Sequence, residues 1–157
     1  MPTTCLDTPL GPLTLVSDGT ALTAATFADA EADDPNTAGA DAVLADARRQ
    51  LAAYFAGEPV AFSVPVRPQG TAFQRRVWAA LAEIPHGATV SYGTLAARIG
   101  DPRAAQAVGA ANGQNPVAVV IPCHRVVGAD GALVGYAGGL DRKRALLDLE
   151  SRQQRLF

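Results

Sequence analysis

The chain has 157 residues, 48% of them hydrophobic, a length that suits one domain or two small ones sharing an interface and that is enough to bury a core. It shows no apolar run long enough to span a membrane and no basic-then-apolar leader, so a cytoplasmic protein without a membrane partner is expected. The net charge of −2 argues against a nucleic-acid partner only until it is divided: residues 1–67 hold three Arg against nine acids, whereas residues 68–157 hold ten Lys or Arg against six, the balance a phosphate-contacting surface requires.

In chain order, the opening reads as β-rich. Leu13 to Val16 and Ala21 to Phe27 flank Ser17-Asp18-Gly19, a hairpin turn signal. Residues 29–40 are small and acidic and predict an exposed loop. A helix follows from Asp41 to Ala56, with Val43, Leu44, Ala47, Leu51 and Phe55 at helical spacing and Gly57 as its stop. Pro59, Pro65 and Pro68 punctuate an extended connector, where a boundary between domains 1–67 and 68–157 is placed.

The second half reads mainly as helices. Thr71 caps a helix with Phe73, Val77, Leu81 and Ile84 on one face, ended by Pro85 and Gly87; Trp78 and Phe73 are core candidates. A short helix runs from Gly93 to Ile99. Asp101 as N-cap and Pro102 at the first helical position then predict a helix to Asn112, making a helix-turn-helix. Its second helix is mostly alanine and glycine, which offers shape to a groove rather than base-reading side chains; on the sequence alone, ordinary packing through alanines explains it slightly better. The apolar run Val117 to Ile121 predicts a buried strand leading to a tight turn at Pro122-Cys123. Beyond it, residues 128–131 turn between Val126-Val127 and Ala132 to Val134. A glycine-rich loop, 135–139, precedes a closing helix from Asp141 to Ser151 with Leu146, Leu147 and Leu149 inward.

The chemistry concentrates at Cys123-His124-Arg125. A thiol beside cationic groups ionises more readily, and the thiolate is the nucleophile. Alone, a Cys-His dipeptide is more often a structural cysteine. Cys5 and Cys123 are both read as reduced, and the scattered Cys and His show no metal spacing, so neither metal nor cofactor is expected. Lysine occurs once, at 143, which reads as a compositional bias.

Several motifs stand in one order: Val90-Ser91-Tyr92, Ala107-Val108-Gly109, Asn115-Pro116, Ile121-Pro122-Cys123-His124-Arg125-Val126-Val127, Gly135-Tyr136, Gly138-Gly139-Leu140, Leu146-Leu147 and Glu150. Together they resemble the O6-alkylguanine-DNA alkyltransferases (methylated-DNA–protein-cysteine methyltransferases) across residues 70–150. Gln50-Leu51 through Tyr54-Phe55-Ala56-Gly57-Glu58 resembles the same family's N-terminal domain. The resemblance implies an α+β protein: a ribonuclease H-like domain of small sheet and helix, then a mainly helical, winged helix-turn-helix-like catalytic DNA-binding domain. It implies irreversible transfer of the alkyl group from O6-methylguanine, with O4-methylthymine as a second substrate, to Cys123, by a monomer bound in the minor groove of double-stranded DNA. His124 would act as base through a water, Glu150 would hold it, Tyr92 would donate to the leaving base and Asn115 would tie the recognition helix to the active-site turn. Pro122, Val126, Tyr136, Ala137 and Gly138 would line the base pocket, with Arg103, Gln106, Ala107, Gly109 and Arg125 on DNA. For Arg125 an internal ion pair is the alternative.

One departure stands out. The family usually has arginine where this chain has Gln106, the side chain that replaces the extruded base. Glutamine is shorter and uncharged, which puts the efficiency of base flipping in doubt. Rival readings are a non-catalytic sensor of alkylated DNA, against which Cys123 itself argues, a cysteine hydrolase built on Cys123, His124 and Glu150, and a plain helix-turn-helix regulator.

Overall fold

A computed structural model describes residues 2–27, 41–133, 135, 136 and 138–156, the stretch 153–156 through its backbone alone. The expected loop 29–40, Val134 and Ala137 lie outside the described residues. Two compact units divide the chain: Met1–Gln69 with Pro116–Ala118, and Gly70–Asn115 with Val119–Phe157.

The first unit is an antiparallel meander of β1 (Thr3–Thr8), β2 (Gly11–Ser17) and β3 (Leu22–Phe27), with β2 central. Alternation along β2 buries Leu13, Leu15 and Ser17. The β2–β3 turn forms where Ser17-Asp18-Gly19 predicts it. The Asp18 carboxylate accepts the N–H groups of Thr20 and Ala21, each at 2.9 Å, and Gly19 takes a φ of 95°. Helix α1 (Ala42–Phe55) is capped by Asp41, which accepts the Leu44 N–H at 2.8 Å, and lies against all three strands. Its buried stripe is Leu44, Ala47, Leu51 and Tyr54. Tyr54 takes the core position expected of Phe55, whose ring packs edge-on against it with centroids 5.1 Å apart. β3 gains two further parallel bridges in this unit. Leu22 pairs with Val66 through Pro65 and Arg67, and Ala25 with Val117 through Pro116 and Ala118.

The second unit carries the chemistry. Helix α2 (Ala72–Leu81) starts at a capping box in which Thr71 and Gln74 satisfy each other's backbone N–H. It buries Val77, Trp78 and Leu81, and the Trp78 indole donates to the Ala111 carbonyl at 2.8 Å. Phe73 is only half-buried. A two-residue strand, β4 (Val90–Ser91), pairs in parallel with β5 (Val126–Val127). Helices α3 (Tyr92–Arg98) and α4 (Ala105–Gly113) follow β4 and pack on each other, and α5 (Leu140–Leu156) closes the chain.

Two expectations are corrected here. Helix α4 begins at Ala105 rather than at Pro102: the Ala104 N–H bonds the Asp101 carbonyl at 3.0 Å, so Asp101-Pro102-Arg103-Ala104 is a β-turn. Asp-Pro is as good a start to a turn as to a helix, and only the surrounding packing decides between them. The buried run Val117 to Ile121 is not a continuous strand either. Only Val117 pairs with β3, after which the chain turns, with Val119 at a φ of +70°. For a β-branched residue this is a strained conformation, costing about 1–3 kcal/mol, and it is held where the chain redirects toward Cys123.

Candidate active site

The turn that presents Cys123 is built by its neighbours. Pro122, with φ −82° and ψ 65°, is the centre of an inverse γ-turn closed by the Cys123 N–H on the Ile121 carbonyl at 2.8 Å. A single 3-10 turn, Cys123–Arg125, then leads into β5. Asn115 donates to the Ile121 carbonyl at 2.8 Å, and Asn112 donates to the Cys123 carbonyl at 3.3 Å. The end of α4 therefore holds this turn at two points. Residues 121–127 are all buried, Val126 and Val127 in β5 among them.

The thiol is not the readily ionised group that its sequence neighbours suggest. Burial raises the Cys123 pKa above the ordinary thiol value, against a hydrogen bond from Asn115 and the charge of Lys143, which favour the thiolate. Neither flanking side chain supplies a free charge. The Arg125 guanidinium is buried and bonds Glu150 through Nε at 2.8 Å and Nη2 at 3.2 Å, while Nη1 donates to the Ile84 carbonyl at 2.6 Å. The expectation that Arg125 meets DNA is thereby corrected in favour of its alternative, the internal ion pair.

His124 is fully buried, with Nε2 2.6 Å from Glu150 Oε2. Burial depresses its pKa more than Glu150 raises it, and the charges of Arg125 and Lys143 add to the depression, so the imidazole is neutral. With Nε2–H donated to the carboxylate, Nδ1 carries the lone pair, and it is buried without a hydrogen-bond partner among the described residues. Burial alone would raise the Glu150 carboxyl. The hydrogen bond from His124, followed by the hydrogen bonds and charge of Arg125, holds it well below the usual carboxylate range. Both shifts make the unfolded chain the better proton acceptor, His124 below its ordinary value near 6.5 and Glu150 below about 4.3. Stability is therefore expected to rise as pH increases from about 5 to about 7.5, read as thermal midpoint against pH, and His124→Gln should flatten that slope.

Tyr92 opens α3 immediately after β4 and is half-buried. A methyl group added to Gly109 would lie 3.7 Å from the Tyr92 ring, and one added to Gly135 would lie 3.7 Å from its hydroxyl. At both distances the added methyl would make ordinary van der Waals contact with Tyr92. The Tyr136 hydroxyl is buried, and burial followed by the neighbouring Cys123 pushes its pKa up. Gly138 packs on the Tyr136 ring so closely that an added methyl would stand 2.6 Å from Cε2. Arg103, in the turn before α4, and Gln106 and Ala107, in its first turn, are exposed. Ala137 lies outside the described residues.

Two residues in the site are absent from the expected set. Lys143 is fully buried on the face of α5 that also carries Leu146 and Glu150, donates to the Gly135 carbonyl at 3.1 Å and acts on the Cys123 thiol. Burial lowers its pKa, partly offset by the thiol. Its signal was visible as the only lysine of the chain, at a spacing of three and seven from Leu146 and Glu150. Asn112 is the other.

Residues 72–152 match the DNA-binding domain of 6-O-methylguanine DNA methyltransferase, and residues 1–68 match its ribonuclease-like domain. The methylated-DNA–protein-cysteine methyltransferase of Mycobacterium leprae is 48% identical over 94% of this chain and 91% of its own length. That of Mycobacterium bovis is 50% identical over 92% and 89%. The crystal structure of Mycobacterium tuberculosis OGT in complex with DNA superposes with a TM-score of 0.86 at 46% identity, covering 98% of this chain and 94% of that one.

Proposed function

The chain belongs to the 6-O-methylguanine DNA methyltransferase family, and from that premise we propose that it repairs DNA by moving the alkyl group of O6-methylguanine, and of O4-methylthymine, irreversibly to Cys123. The observation that carries this reading is the buried pair Cys123 and His124, adjacent in one turn, with neutral His124 bonded to anionic Glu150 of α5, which Arg125 also pairs.

His124 Nδ1 takes the thiol proton through a bridging water, and Glu150 stabilises the imidazolium that forms. Asn115 and Lys143 favour the thiolate that burial opposes. The thiolate attacks the methyl carbon, the carbon–O6 bond breaks, and its electron pair leaves on guanine. Tyr92 donates a hydrogen bond to the ring nitrogen as that charge develops, and the thiol proton is finally returned to the base. The products are S-methylcysteine and guanine. A thioether offers no easy route back to the thiolate, so each chain acts once.

Pro122, Val126, Tyr136, Ala137 and Gly138 form the pocket for a base flipped out of the duplex, with Tyr136 stacking on it. Arg103, from the turn before α4, and Gln106 and Ala107, on α4 itself, meet DNA, with α3 and α4 as a helix-turn-helix entering the minor groove. Residues 1–67 serve as a structural domain and residues 68–157 as the catalytic one, in a cytoplasmic monomer. Among the described residues no helix is long and apolar enough to cross a membrane. The test is stoichiometry: with a methylated oligonucleotide in excess, repaired bases should plateau at one per chain. Continued turnover would refute the proposal in favour of a hydrolase, and binding without repair would leave a damage sensor.

Gln106 is exposed on α4, where a side chain can fill the gap left by the flipped nucleotide. Extrusion costs a few kcal/mol, and arginine recovers more of it than glutamine through length, donors and a stacking plane. Gln106→Arg is expected to raise the single-turnover rate on duplex substrate about three- to tenfold, worth about 1 kcal/mol, and to leave the rate on free O6-alkylguanine base unchanged. Equal effects on both substrates would place Gln106 outside the gap.

A further inference from the structure

We propose that Arg142, in the first turn of α5, is a positioning residue that sets the Tyr136 ring through Gly138, and so governs how tightly a flipped base is held rather than how fast its alkyl group moves. This rests on the reading of Tyr136 above as the ring that stacks on that base.

Gly138 stands between the two side chains. A methyl group added to it would lie 2.6 Å from Tyr136 Cε2, 3.2 Å from Cδ2 and 3.5 Å from Arg142 Cδ. The Gly138 backbone therefore lies directly against the Cδ2–Cε2 side of the ring, and the arginine stem lies against that backbone in turn. Arg142 Nη1 donates to the Gly138 carbonyl at 3.1 Å, so the guanidinium holds the same residue that backs the ring. The next residue, Lys143, donates to the Gly135 carbonyl at 3.1 Å, and the Gly139 N–H bonds the Tyr136 carbonyl at 3.0 Å. Backbone on both sides of Tyr136 is thus tied to the start of α5.

The consequence falls on binding. A base stacks well on a ring only when the ring's height and tilt are set beforehand. The Tyr136 hydroxyl is buried without a hydrogen-bond partner among the described residues, so packing along the ring sets its tilt. On the Cδ2–Cε2 side that packing is Gly138. Without the guanidinium, the Gly138 carbonyl loses a charge-assisted bond and the backing of the ring relaxes. The bonds that hold the Cys123 turn and His124 come from Asn112, Asn115 and Glu150 instead. Transfer from a base already bound therefore keeps its rate.

The experiment is a double-mutant cycle of Arg142→Met, which keeps an unbranched stem, with Tyr136→Leu. Single-turnover transfer is measured against concentration of free O6-benzylguanine, a probe that makes no phosphate contact, and affinity for unmodified duplex is measured beside it. Arg142→Met should raise the half-saturating concentration about fivefold or more, with the maximal rate and the duplex affinity each held within about twofold. Arg142→Lys, which keeps a stem and a charged donor, should stay within about twofold of the parent chain. In the Tyr136→Leu background Arg142→Met should add no more than about twofold. An equal factor in both backgrounds would mean that Arg142 does not act through Tyr136, and the inference fails while the reading of Tyr136 stands. If Tyr136→Leu alone leaves half-saturation unchanged, the stacking role itself fails and the inference falls with it. A fall in the maximal rate at unchanged half-saturation, or a matching loss of duplex affinity, would also overturn it, as a chemical role or a phosphate contact. Should Arg142→Met leave unfolded chain at the assay temperature, Arg142→Gln, whose amide ends two bonds short of Nη1, is read by the same cycle with the same deciding outcomes.

Discussion

Glu150→Ala is expected to destabilise the fold by about 3–5 kcal/mol, more than any exposed substitution could. The carboxylate is 1% exposed and compensates Arg125, which is itself buried and donates two of its N–H groups to it. Removing it leaves a guanidinium in the interior with only the Ile84 carbonyl as a remaining partner among these bonds. It also releases His124 Nε2, so the tautomer that exposes Nδ1 as a base is no longer enforced. Chemical denaturation should show the loss of stability. Transfer measured well below the shifted midpoint should fall as well, because two defects arise from one atom group. Arg125→Met paired with Glu150→Leu should recover much of the stability and none of the transfer, since an apolar pair fills the space without orienting the imidazole.

The second large effect is at the nucleophile. Cys123→Ala should abolish alkyl transfer, a loss beyond the reach of any assay, while affinity for alkylated duplex stays within a few-fold of the parent chain. Cys123 is 6% exposed and its sulfur is the only atom removed, so the turn built by Pro122, Asn112 and Asn115 stays intact. Binding should still fall steeply with salt, because phosphate contacts dominate such interfaces. Parallel loss of binding and transfer would mean that the substitution collapses the pocket rather than removing the nucleophile.

Much of this site is legible in the sequence because its parts are local. Pro122 beside Cys123 encodes the turn, Ser91 and Thr71 encode the starts of α3 and α2, and Gly57 encodes the end of α1. The motif order from Tyr92 to Glu150 carries the family by resemblance. What local signals leave open depends on contacts across the sequence. Arg125 and Glu150 are 25 residues apart, so charge alone could not say whether the arginine faces phosphate or carboxylate. Lys143 reads only as a compositional bias until α5 is docked with its 143, 146 and 150 face inward. Burial also reverses the expectation for the thiol, since its cost is set by the surroundings of Cys123 and not by its neighbours in the chain. The start of α4 fails for a different reason: Asp101-Pro102 fits a β-turn and a helix N-terminus equally, and only three-dimensional packing separates them.

The central claim is that Cys123 accepts one alkyl group and keeps it. Intact-mass spectrometry after incubation with excess oligonucleotide carrying O6-methylguanine, followed by peptide mapping, tests it most directly. The account predicts a shift equal to one methyl in exchange for hydrogen in every active chain, located on Cys123 and unchanged on further incubation. A shift on Cys5, a mass that never changes while methylguanine disappears, or continued consumption of substrate by the same chains would contradict it.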